Sequence, residues 1–145
     1  FNSKGACLKC NGQGVLTLEL HFLDSVKTIC DESEGKRYHS EVLQYQFHGK
    51  NIADVLDMSV SQALEFFESS KIKNLLSLLE EVGLGYLKLW QSLSTLSGGE
   101  SQRLKIATEL KKKGNIYIMD EPTTGLHMSD VNHFYQIIKT LVKKR

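Results

Sequence analysis

The chain has 145 residues, 41% of them apolar, which is enough to bury a core over at least part of its length and excludes a disordered tail. Its formal net charge is +1 and its pI is about 7.9, so bulk charge does not draw it to nucleic acid and any DNA contact depends on local patches. No apolar run approaches the roughly 18 residues of a membrane span, and the first residues lack the apolar stretch of a signal peptide, so we expect a cytoplasmic protein without membrane contact.

The first segment, residues 1–50, is rich in cysteine and glycine. An odd count of three cysteines, two of them in the close pair Cys7 and Cys10, fits a metal or thiol site in a reducing compartment better than a disulfide framework. Two stretches alternate apolar and polar residues, VLTLELHF from Val15 and EVLQYQF from Glu41, and each predicts a half-buried strand. We therefore expect a small β ribbon with a loop at each end.

The second segment, residues 51–95, has a helical pattern. Ser59 and Gln62 have capping-box spacing ahead of ALEFFES, which predicts the start of a helix. The apolar-rich stretch IKNLLSLLEEVG predicts a second helix that ends at Gly83. We expect these helices to pack on each other.

The third segment, residues 96–145, mixes helix and strand signals. Ser97 is predicted to cap a helix that runs to Lys113 and ends at Gly114. NIYIM predicts a short strand, and Ser129 is predicted to open a last helix. The buried stripe of the helix after Ser97 is predicted to contain Leu104, Ala107 and Leu110. The apolar stripe of the last helix is predicted to contain Val131, Phe134, Tyr135, Ile138, Leu141 and Val142.

The stretch LSTLSGGESQR pairs a serine and two glycines with the start of a helix. A helix that begins near Ser97 offers free backbone N–H groups and the positive end of its dipole to an anion. Gly98 and Gly99 let a phosphate approach the backbone without a Cβ clash. The chain has no glycine-rich loop that ends in Lys-Ser or Lys-Thr, so this is only half of a usual phosphate site. The local alternative is a Ser-Gly-Gly turn that merely caps the helix.

The apolar run IYIM leads directly into DEPTTGLH. A strand that ends in two carboxylates places them at the carboxyl edge of a parallel sheet, where α/β proteins bind ligands. There, Asp120 would hold a hydrated Mg²⁺, and Glu121 would orient or deprotonate the water that attacks a γ-phosphate. The alternative is a solvated turn at the end of a strand.

Together these residues resemble the ABC ATPase family. LSGGE is similar to the signature of the family, IYIMDE to its Walker B strand, and TTGLH stands in the place of its D-loop. The resemblance implies an α/β fold with ATP and Mg²⁺ as cofactors. It implies that Ser97, Gly98 and Gly99, followed by Glu100, bind the γ-phosphate of a nucleotide held by a second ABC half or protomer. We expect Glu100, Gln102 and Arg103 to face that boundary.

A second resemblance narrows the family. CLKCNGQG and CDESEGKRYHSEVL are similar to the zinc module in the second ATPase half of the UvrA family, whose members recognise damage in bacterial nucleotide excision repair. LDMSVSQALEFF, VGLGYLKL and LSTLSGGESQRLKIATEL continue the similarity. The resemblance implies a fragment of the C-terminal ABC half of such an ATPase. Its implied partners are damaged double-stranded DNA and UvrB.

The metal module departs from the family at one position. The family module has a second Cys-x-x-Cys pair, whereas Ser33 occupies the fourth ligand position here. Zinc prefers four thiolate or imidazole ligands, and a neutral hydroxyl is a poor donor. Three readings stay open: zinc held by Cys7, Cys10 and Cys30 with water or His39, loss of the metal, or a natural or engineered replacement at Ser33. We predict that the three cysteines bind zinc.

The resemblance, and not the charge, implies DNA binding. Lys36 and Arg37 are the candidate phosphate contacts, with the aromatic Tyr38 beside them, and such a cluster would read duplex shape. The alternative is an ordinary solvated turn. Trp90 is a further departure, because the family usually has glycine there, and its side chain is expected to alter packing near the signature.

We therefore predict an α/β ABC-type fragment in three parts. These are a zinc-ribbon-like module (1–50), a helical signature subdomain (51–95), and the signature helix, Walker B strand and D-loop part of the ATPase core (96–145). The full-length parent would be the enzyme, whereas the fragment without a Walker A loop would hydrolyse ATP poorly or not at all. Two alternatives are a UvrA paralogue that gives resistance to DNA-binding drugs and a non-catalytic binding module.

Overall fold

The chain divides into two compact units, Phe1–Leu56 and Asp57–Arg145, which are described separately. The structure is a computed structural model that describes residues 4–20, 23–110, 116, 118–123 and 128–143. The finer division into three segments stays a prediction.

Unit one contains a β hairpin. Strand β1 (Val15–Leu20) pairs with strand β2 (Leu23–Ile29) in an antiparallel two-stranded sheet, with Val15 opposite Ile29. The prediction of a strand from Val15 is confirmed. Its partner was not predicted, because β2 has no clean alternation of apolar and polar residues. The signal that β2 does carry is its content of valine, threonine and isoleucine, which favour strands.

The strand predicted over EVLQYQF is wrong. Val42–Gln44 form a short 3₁₀ helix, and Phe47 and Lys50 exchange both backbone hydrogen bonds, of 2.8 and 3.0 Å, across a tight turn. Tyr45 and Phe47, two of the alternating apolar residues, are 79% and 55% exposed. The physical reason is that β1 pairs with the segment that directly follows it, for which the entropy of loop closure is small.

Helices account for most of the described secondary structure of unit two. Helix α1 (Ile52–Asp57) belongs to unit one except for its last residue. The helices of unit two are, in chain order, α2 (Val60–Phe66), α3 (Ser70–Glu81), α4 (Gly98–Leu110) and α5 (Met128–Lys143). A 3₁₀ turn at Leu93–Thr95 precedes α4. None of the helices in the described residues is long and apolar enough to cross a membrane.

Two predicted helix ends in unit two are confirmed. The Ser59 hydroxyl accepts the N–H of Gln62 at 3.2 Å, and the Gln62 side chain accepts the N–H of Ser59 at 2.9 Å, so the capping box forms at the start of α2. Helix α3 ends just before Gly83, whose φ of 73° lies in the left-handed region that suits glycine at a helix end. Both ends were predictable because their signals are local in the sequence.

The core of unit two draws on every helix from α2 to α5. Its buried members are Val60, Ala63, Leu76, Val82, Leu84, Leu87, Ile106, Ala107, Phe134 and Ile137. The two predicted stripes are therefore right only in part. Helix α4 buries Ile106 beside the predicted Ala107, and α5 buries Ile137 beside the predicted Phe134.

The stripe of α5 is rotated relative to the prediction. Tyr135 and Val142 are 55% and 65% exposed, and the ammonium of Lys139 lies 4.4 Å from the centroid of the Tyr135 ring. Ile137 is 6% exposed and lies in the core, and the predicted Ile138 packs against the core. Helix α5 begins at Met128, one residue before the predicted start. The side chains of Leu110 and Leu141 lie outside the described residues.

The predicted strand NIYIM is not formed in its described part. Ile116, Ile118 and Met119 are 80%, 94% and 39% exposed and belong to no strand. Among the described residues, unit two contains no other strand with which this apolar run could pair. Asn115, Tyr117, the predicted helix end at 111–114 and most of the D-loop stretch, 124–127, lie outside the described residues.

Candidate functional site

Three buried thiols form the candidate metal site of unit one. Cys7, Cys10 and Cys30 are at most 4% exposed, and their Sγ atoms all lie within 4.8 Å of one another. The Sγ atoms of Cys7 and Cys30 are 4.0 Å apart. With zinc–sulfur bonds of about 2.3 Å, two sulfurs of a tetrahedral site stand roughly 3.8 Å apart. The three thiols therefore fit a zinc ion with only small movements.

Backbone hydrogen bonds bring the two cysteine-bearing turns together. The N–H of Cys7 donates to the carbonyl of Arg37 at 2.9 Å, and the N–H of Cys30 donates to the carbonyl of Gly14 at 3.0 Å. Cys7 is thus held by the segment after Cys30, and Cys30 by the segment after Cys7 and Cys10. This arrangement positions the thiols through the fold of the main chain.

Ser33 faces the thiols, and His39 does not join them. Ser33 is 5% exposed, and its Oγ lies 3.5 Å from the Sγ of Cys10. The group of possible metal ligands found among the described residues contains the three cysteines and no histidine. His39, one of the two fourth ligands considered from the sequence, is therefore not part of this group, and the hydroxyl of Ser33 lies beside the thiols instead.

The thiols differ in acidity. Burial raises the pKa of Cys10, but hydrogen bonds from the Ser33 hydroxyl, the Gly14 N–H and the other thiols outweigh burial and lower the pKa to about 7. For Cys7 a backbone hydrogen bond at Cys10 lowers the pKa, while burial and the hydrogen bonds to Cys10 and Cys30 raise it overall. Because the thiolate is the form that binds a metal, Cys10 is better prepared for binding than Cys7.

The candidate anion site of unit two is the start of α4. The Ser97 Oγ accepts the N–H of Glu100 at 3.2 Å, and the Glu100 Oε2 accepts the N–H of Ser97 at 2.7 Å, which is a second capping box. Gly98 is exposed, and a Cβ built on it would meet nothing within 4 Å. Gly99 is buried. The helix start is therefore open on the side of Gly98.

Glu100 is engaged within its own unit. Its Oε1 accepts the hydroxyl of Tyr86 at 2.5 Å, and Arg103 donates to the same hydroxyl at 3.4 Å. The Tyr86 hydroxyl and the N–H of Ser97 hold the pKa of Glu100 below its ordinary value. Arg103, expected at a domain boundary, is 6% exposed. This geometry gives Glu100 a positioning function at the start of α4.

Tyr86, which was not predicted as a functional residue, connects the start of α4 to the rest of unit two. It lies in a turn that pairs with the start of α2, where the N–H of Val60 donates to the Leu87 carbonyl at 2.9 Å and the N–H of Ser61 donates to the Gly85 carbonyl at 3.0 Å. The signal in the sequence is weak, since it is only a polar aromatic residue between buried leucines. The Tyr86 hydroxyl thus connects the start of α4 to the turn that pairs with α2.

Gln102, expected from the sequence to face the boundary to a second ABC half, connects α4 to the acidic pair. Its Nε2 donates to the carbonyl of Pro122 at 2.6 Å. Asp120 and Glu121, which precede Pro122, are both exposed, and Glu121 has a φ of 40°, a left-handed conformation that is uncommon for a glutamate. The backbone that carries the two carboxylates is therefore anchored to the signature helix.

A cavity of about 640 Å³ lies between α4 and the 116–122 segment. Gly98 and Asp120 both line it, whereas the other candidate nucleotide residues, Ser97, Gly99, Glu100 and Glu121, do not. Among the described residues, its lining includes the exposed apolar Ile116 and Ile118 and the cation Lys105. The cavity therefore has a mixed polar and apolar lining, and it includes the open start of α4 at Gly98.

The candidate DNA contacts lie in the turn after Ser33. The Nζ of Lys36 is 2.7 Å from the Glu34 carboxylate, and both side chains are exposed. Arg37 is half-buried. Tyr38 is 8% exposed and forms an isolated β-bridge with Ala6, so its ring packs within the unit instead of facing solvent.

Trp90 is held by Asp57. Its Nε1 donates to the Asp57 Oδ1 at 3.1 Å, and Lys88 donates to the Oδ2 of the same carboxylate at 3.0 Å. These bonds hold the pKa of Asp57 below its ordinary value, with Lys88 as the largest cause. The indole hydrogen bond thus connects the segment before the signature to Asp57.

Comparison with known proteins defines the family. The family model described as ABC transporter matches residues 11–124, so the chain belongs to this family. The predicted fold class, an α/β fragment of an ABC-type ATPase domain, is confirmed.

The more specific resemblance, to UvrA, is also confirmed. UvrABC system protein A of Aquifex aeolicus is 50% identical over 149 residues, which cover 99% of this chain and 16% of that protein. The Mycoplasmopsis pulmonis protein of the same name is 52% identical over 144 residues, 97% of this chain and 15% of that protein. The crystal structure of UvrA2 from Deinococcus radiodurans matches with a TM-score of 0.87 and 48% identity over 96% of this chain and 18% of that chain. The chain thus spans 15 to 16% of the length of these two curated relatives.

Proposed function

We propose that the chain is part of an ABC ATPase that couples ATP binding and hydrolysis to the recognition of damaged DNA in nucleotide excision repair. The observation that carries the proposal is the open start of α4 at Gly98, in a chain 50% identical to UvrABC system protein A. The cofactors are ATP and Mg²⁺, with zinc in unit one. The partners are damaged double-stranded DNA, a second ABC half or protomer, and UvrB. The place of action is the cytoplasm.

The start of α4 binds phosphate through its backbone. The N–H of Ser97 is occupied by Glu100, and the N–H of Glu100 by the Ser97 hydroxyl. The N–H groups of Gly98 and Gly99 therefore remain for a γ-phosphate, aided by the positive end of the helix dipole. The nucleotide is carried by another domain, because this chain has no glycine-rich loop of its own.

The acidic pair serves a second nucleotide. Asp120 holds Mg²⁺, which neutralises phosphate charge when bound. Glu121 orients the attacking water and accepts its proton. The hydrogen bond from Gln102 to Pro122 keeps this pair in a fixed relation to the signature helix, so the two motifs move together.

Two variants of the full-length parent test the assignment. Gly98→Ala leaves the fold intact, because its Cβ enters open space, but it obstructs the approach of a phosphate. Glu121→Gln removes the base. We expect each to lower the rate of ATP hydrolysis by about 100-fold or more. Glu68→Gln, an exposed glutamate in the same unit, is the control and leaves the rate unchanged.

An unchanged rate in Glu121→Gln would exclude the catalytic assignment and favour the non-catalytic binding module. An unchanged rate in Gly98→Ala would show that no phosphate approaches this helix start. Binding of a radiolabelled or fluorescent ATP analogue, measured on the same preparations, separates loss of chemistry from loss of nucleotide.

The isolated chain is expected to be inactive. Residues 1–145 contain the signature and the acidic pair but no glycine-rich phosphate loop. Release of inorganic phosphate from Mg-ATP by the purified chain should not exceed that of a protein-free blank. Turnover comparable to that of a complete ABC ATPase would contradict the proposal that the nucleotide is supplied by another domain.

In unit one, the proposed ligands of zinc are Cys7, Cys10 and Cys30, and the proposed phosphate contacts are Lys36 and Arg37. Binding of an undamaged and a damaged DNA duplex by the parent and its Lys36→Ala variant tests the second assignment. A phosphate contact weakens binding to both duplexes by a similar factor and reduces the salt dependence.

A second candidate function is the removal of DNA-binding drugs by a UvrA paralogue. It is kept because the match to UvrA2, at 48% identity, is about as strong as the matches to UvrABC system protein A. A strain that lacks the parent gene discriminates the two, since sensitivity to ultraviolet light supports repair and sensitivity confined to an intercalating drug supports the paralogue.

A further inference from the structure

The two cysteine turns of unit one have the same backbone conformation. The first turn is Cys7–Gly12, CLKCNG, and the second is Cys30–Gly35, CDESEG. In the first turn the fifth and sixth residues have φ values of 50° and 74°, and in the second they have φ values of 50° and 79°. Two consecutive residues with positive φ are uncommon, and their occurrence at the same place in both turns shows that the two turns share one backbone conformation.

Hydrogen bonds at the end of each turn confirm this equivalence. The N–H of Gln13 donates to the carbonyl of Cys10 at 2.9 Å, and the N–H of Lys36 donates to the carbonyl of Ser33 at 2.7 Å. The fourth residue of each turn therefore accepts a bond from the residue three positions later. By backbone geometry, Ser33 corresponds to Cys10.

The side chain of Ser33 points into the thiol cluster. Ser33 is 5% exposed, and its Oγ stands 3.5 Å from the Sγ of Cys10. Cys30, at the start of the same turn, is 0% exposed. A cysteine at position 33 would place a fourth sulfur near this oxygen without any change of the main chain.

A hydroxyl and a thiolate behave differently toward zinc. Structural zinc sites have four anionic or imidazole ligands and are closed to solvent, whereas a site with three strong protein ligands keeps one position open. The serine hydroxyl is neutral at physiological pH and a weak donor. A site with three thiolates carries one negative charge fewer than a site with four. Its affinity for the metal is also lower, because one strong metal–sulfur bond is missing.

We propose that unit one binds zinc through the thiolates of Cys7, Cys10 and Cys30, that Ser33 leaves the fourth coordination position to an exchangeable ligand, and that residue 33 thereby sets the rate of metal exchange. The inference rests on the zinc binding proposed above and adds which position is open and which residue opens it. Binding releases to solvent the protons that the three thiols still carry and involves no oxidation or reduction.

The test compares the purified chain with its Ser33→Cys variant in two measurements. Absorption spectra of the Co²⁺-loaded proteins are recorded with and without millimolar imidazole. We expect the visible bands of the native chain to change on addition of imidazole and those of Ser33→Cys to stay constant. Release of zinc to an excess of a chromogenic chelator should be at least about tenfold faster from the native chain.

Two further variants serve as controls. Ser70→Cys adds a thiol at an exposed position in α3, outside the cysteine turns, and should behave like the native chain. Ser33→Ala removes the hydroxyl but keeps all three thiols, and should release zinc at a rate within a few-fold of the native chain. Far-ultraviolet circular dichroism verifies that each variant is folded.

Several outcomes would overturn the inference. Equal release rates and equal imidazole responses in the native chain and Ser33→Cys would mean that position 33 does not limit exchange. A large loss of zinc in Ser33→Ala would mean that the hydroxyl is itself a ligand. Failure of the native chain to bind Zn²⁺ or Co²⁺ would overturn the inference and the proposed zinc site together, and would leave the ATPase proposal to its own tests.

Discussion

The hydroxyl of Tyr86 hydrogen-bonds the start of the signature helix, in addition to the packing of that helix in the core of unit two. It donates to Glu100 and accepts from Arg103, and Glu100 in turn caps α4 through the N–H of Ser97. Tyr86→Phe removes this link without changing the size of the ring. We expect a loss of about 1 kcal/mol in the free energy of unfolding, measured by urea denaturation of the chain near neutral pH.

The effect of Tyr86→Phe should depend on pH. The pKa of Glu100 is lowered from its ordinary value of 4.5, chiefly by Tyr86, so the hydrogen bonds stabilise the carboxylate form. A lowered folded-state pKa gives stability that is present above the ordinary pKa and is lost as the pH falls through the folded-state pKa. The difference in the free energy of unfolding between the native chain and Tyr86→Phe is therefore largest near neutral pH and decreases below pH 4.5.

The matched control for this prediction is Tyr135→Phe. Tyr135 is 55% exposed, and its contact with Lys139 involves the ring, which phenylalanine retains. We expect little change in stability at any pH. A Tyr86→Phe effect that stays constant across the acid range, or one that equals the effect of the control, would show that the hydroxyl does not act through Glu100.

Helix caps provide a test at the level of the element. Ser59 caps α2 with both bonds of a capping box, whereas Ser69 stands at the N-cap of α3 without a side-chain cap hydrogen bond. Ser59→Ala should therefore lower the free energy of unfolding by about 1 kcal/mol, and Ser69→Ala should change it much less. Equal effects of the two variants in urea denaturation would contradict the assignment of the cap.

An element is predictable from the sequence when the residues that determine it are close together in the chain. The caps at Ser59 and Ser97 and the stop at Gly83 depend on residues within one turn of helix, and they form as predicted. The pairing of β1 with β2 is local, but β2 lacks the alternation that marks a strand, whereas the buried face of α5 depends on contacts that are remote in the chain. Periodicity shows that a face is apolar, but it does not select between Tyr135 and Ile137.

The candidate site shows the same division. Cys7, Cys10 and Cys30 could be selected from spacing, because metal ligands come from few residue types and two of the three form a close pair. Tyr86 could not be selected, and Gln102 was selected without its hydrogen bond to Pro122, since a tyrosine or glutamine gains a positioning function only from the partner that the fold supplies. The ligand-type residues were thus predictable, and the residues that hold them in place were not.

For the whole molecule, the two units should respond differently to loss of metal. The buried cluster described in unit one consists of Cys7, Cys10 and Cys30 with Leu16 packed against it, whereas unit two has a core drawn from four helices. A unit with so few buried apolar side chains depends on its metal for folding. Chelation should therefore unfold unit one and leave unit two folded.

Two signals resolve the units in this experiment. Trp90, the single tryptophan of the chain, lies in unit two, so its fluorescence should stay unchanged after addition of a chelator. Amide hydrogen exchange should accelerate in residues 4–20 and 23–50 and not in α2, α3 or α4. Accelerated exchange in both units, together with a shift of the Trp90 emission, would show that the metal stabilises the entire chain.

The exposure of Ile116, Ile118 and Met119 has a consequence for the behaviour of the protein at high concentration. Uncovered apolar segments are templates for intermolecular pairing and aggregation. Asp120 and Glu121 follow this segment directly, and charged residues at the end of such a segment act as gatekeepers, because identical chains that stack would bring like charges together. The two carboxylates proposed for magnesium binding and water activation are therefore also expected to limit aggregation of the isolated chain, and neutralising either of them should weaken that protection.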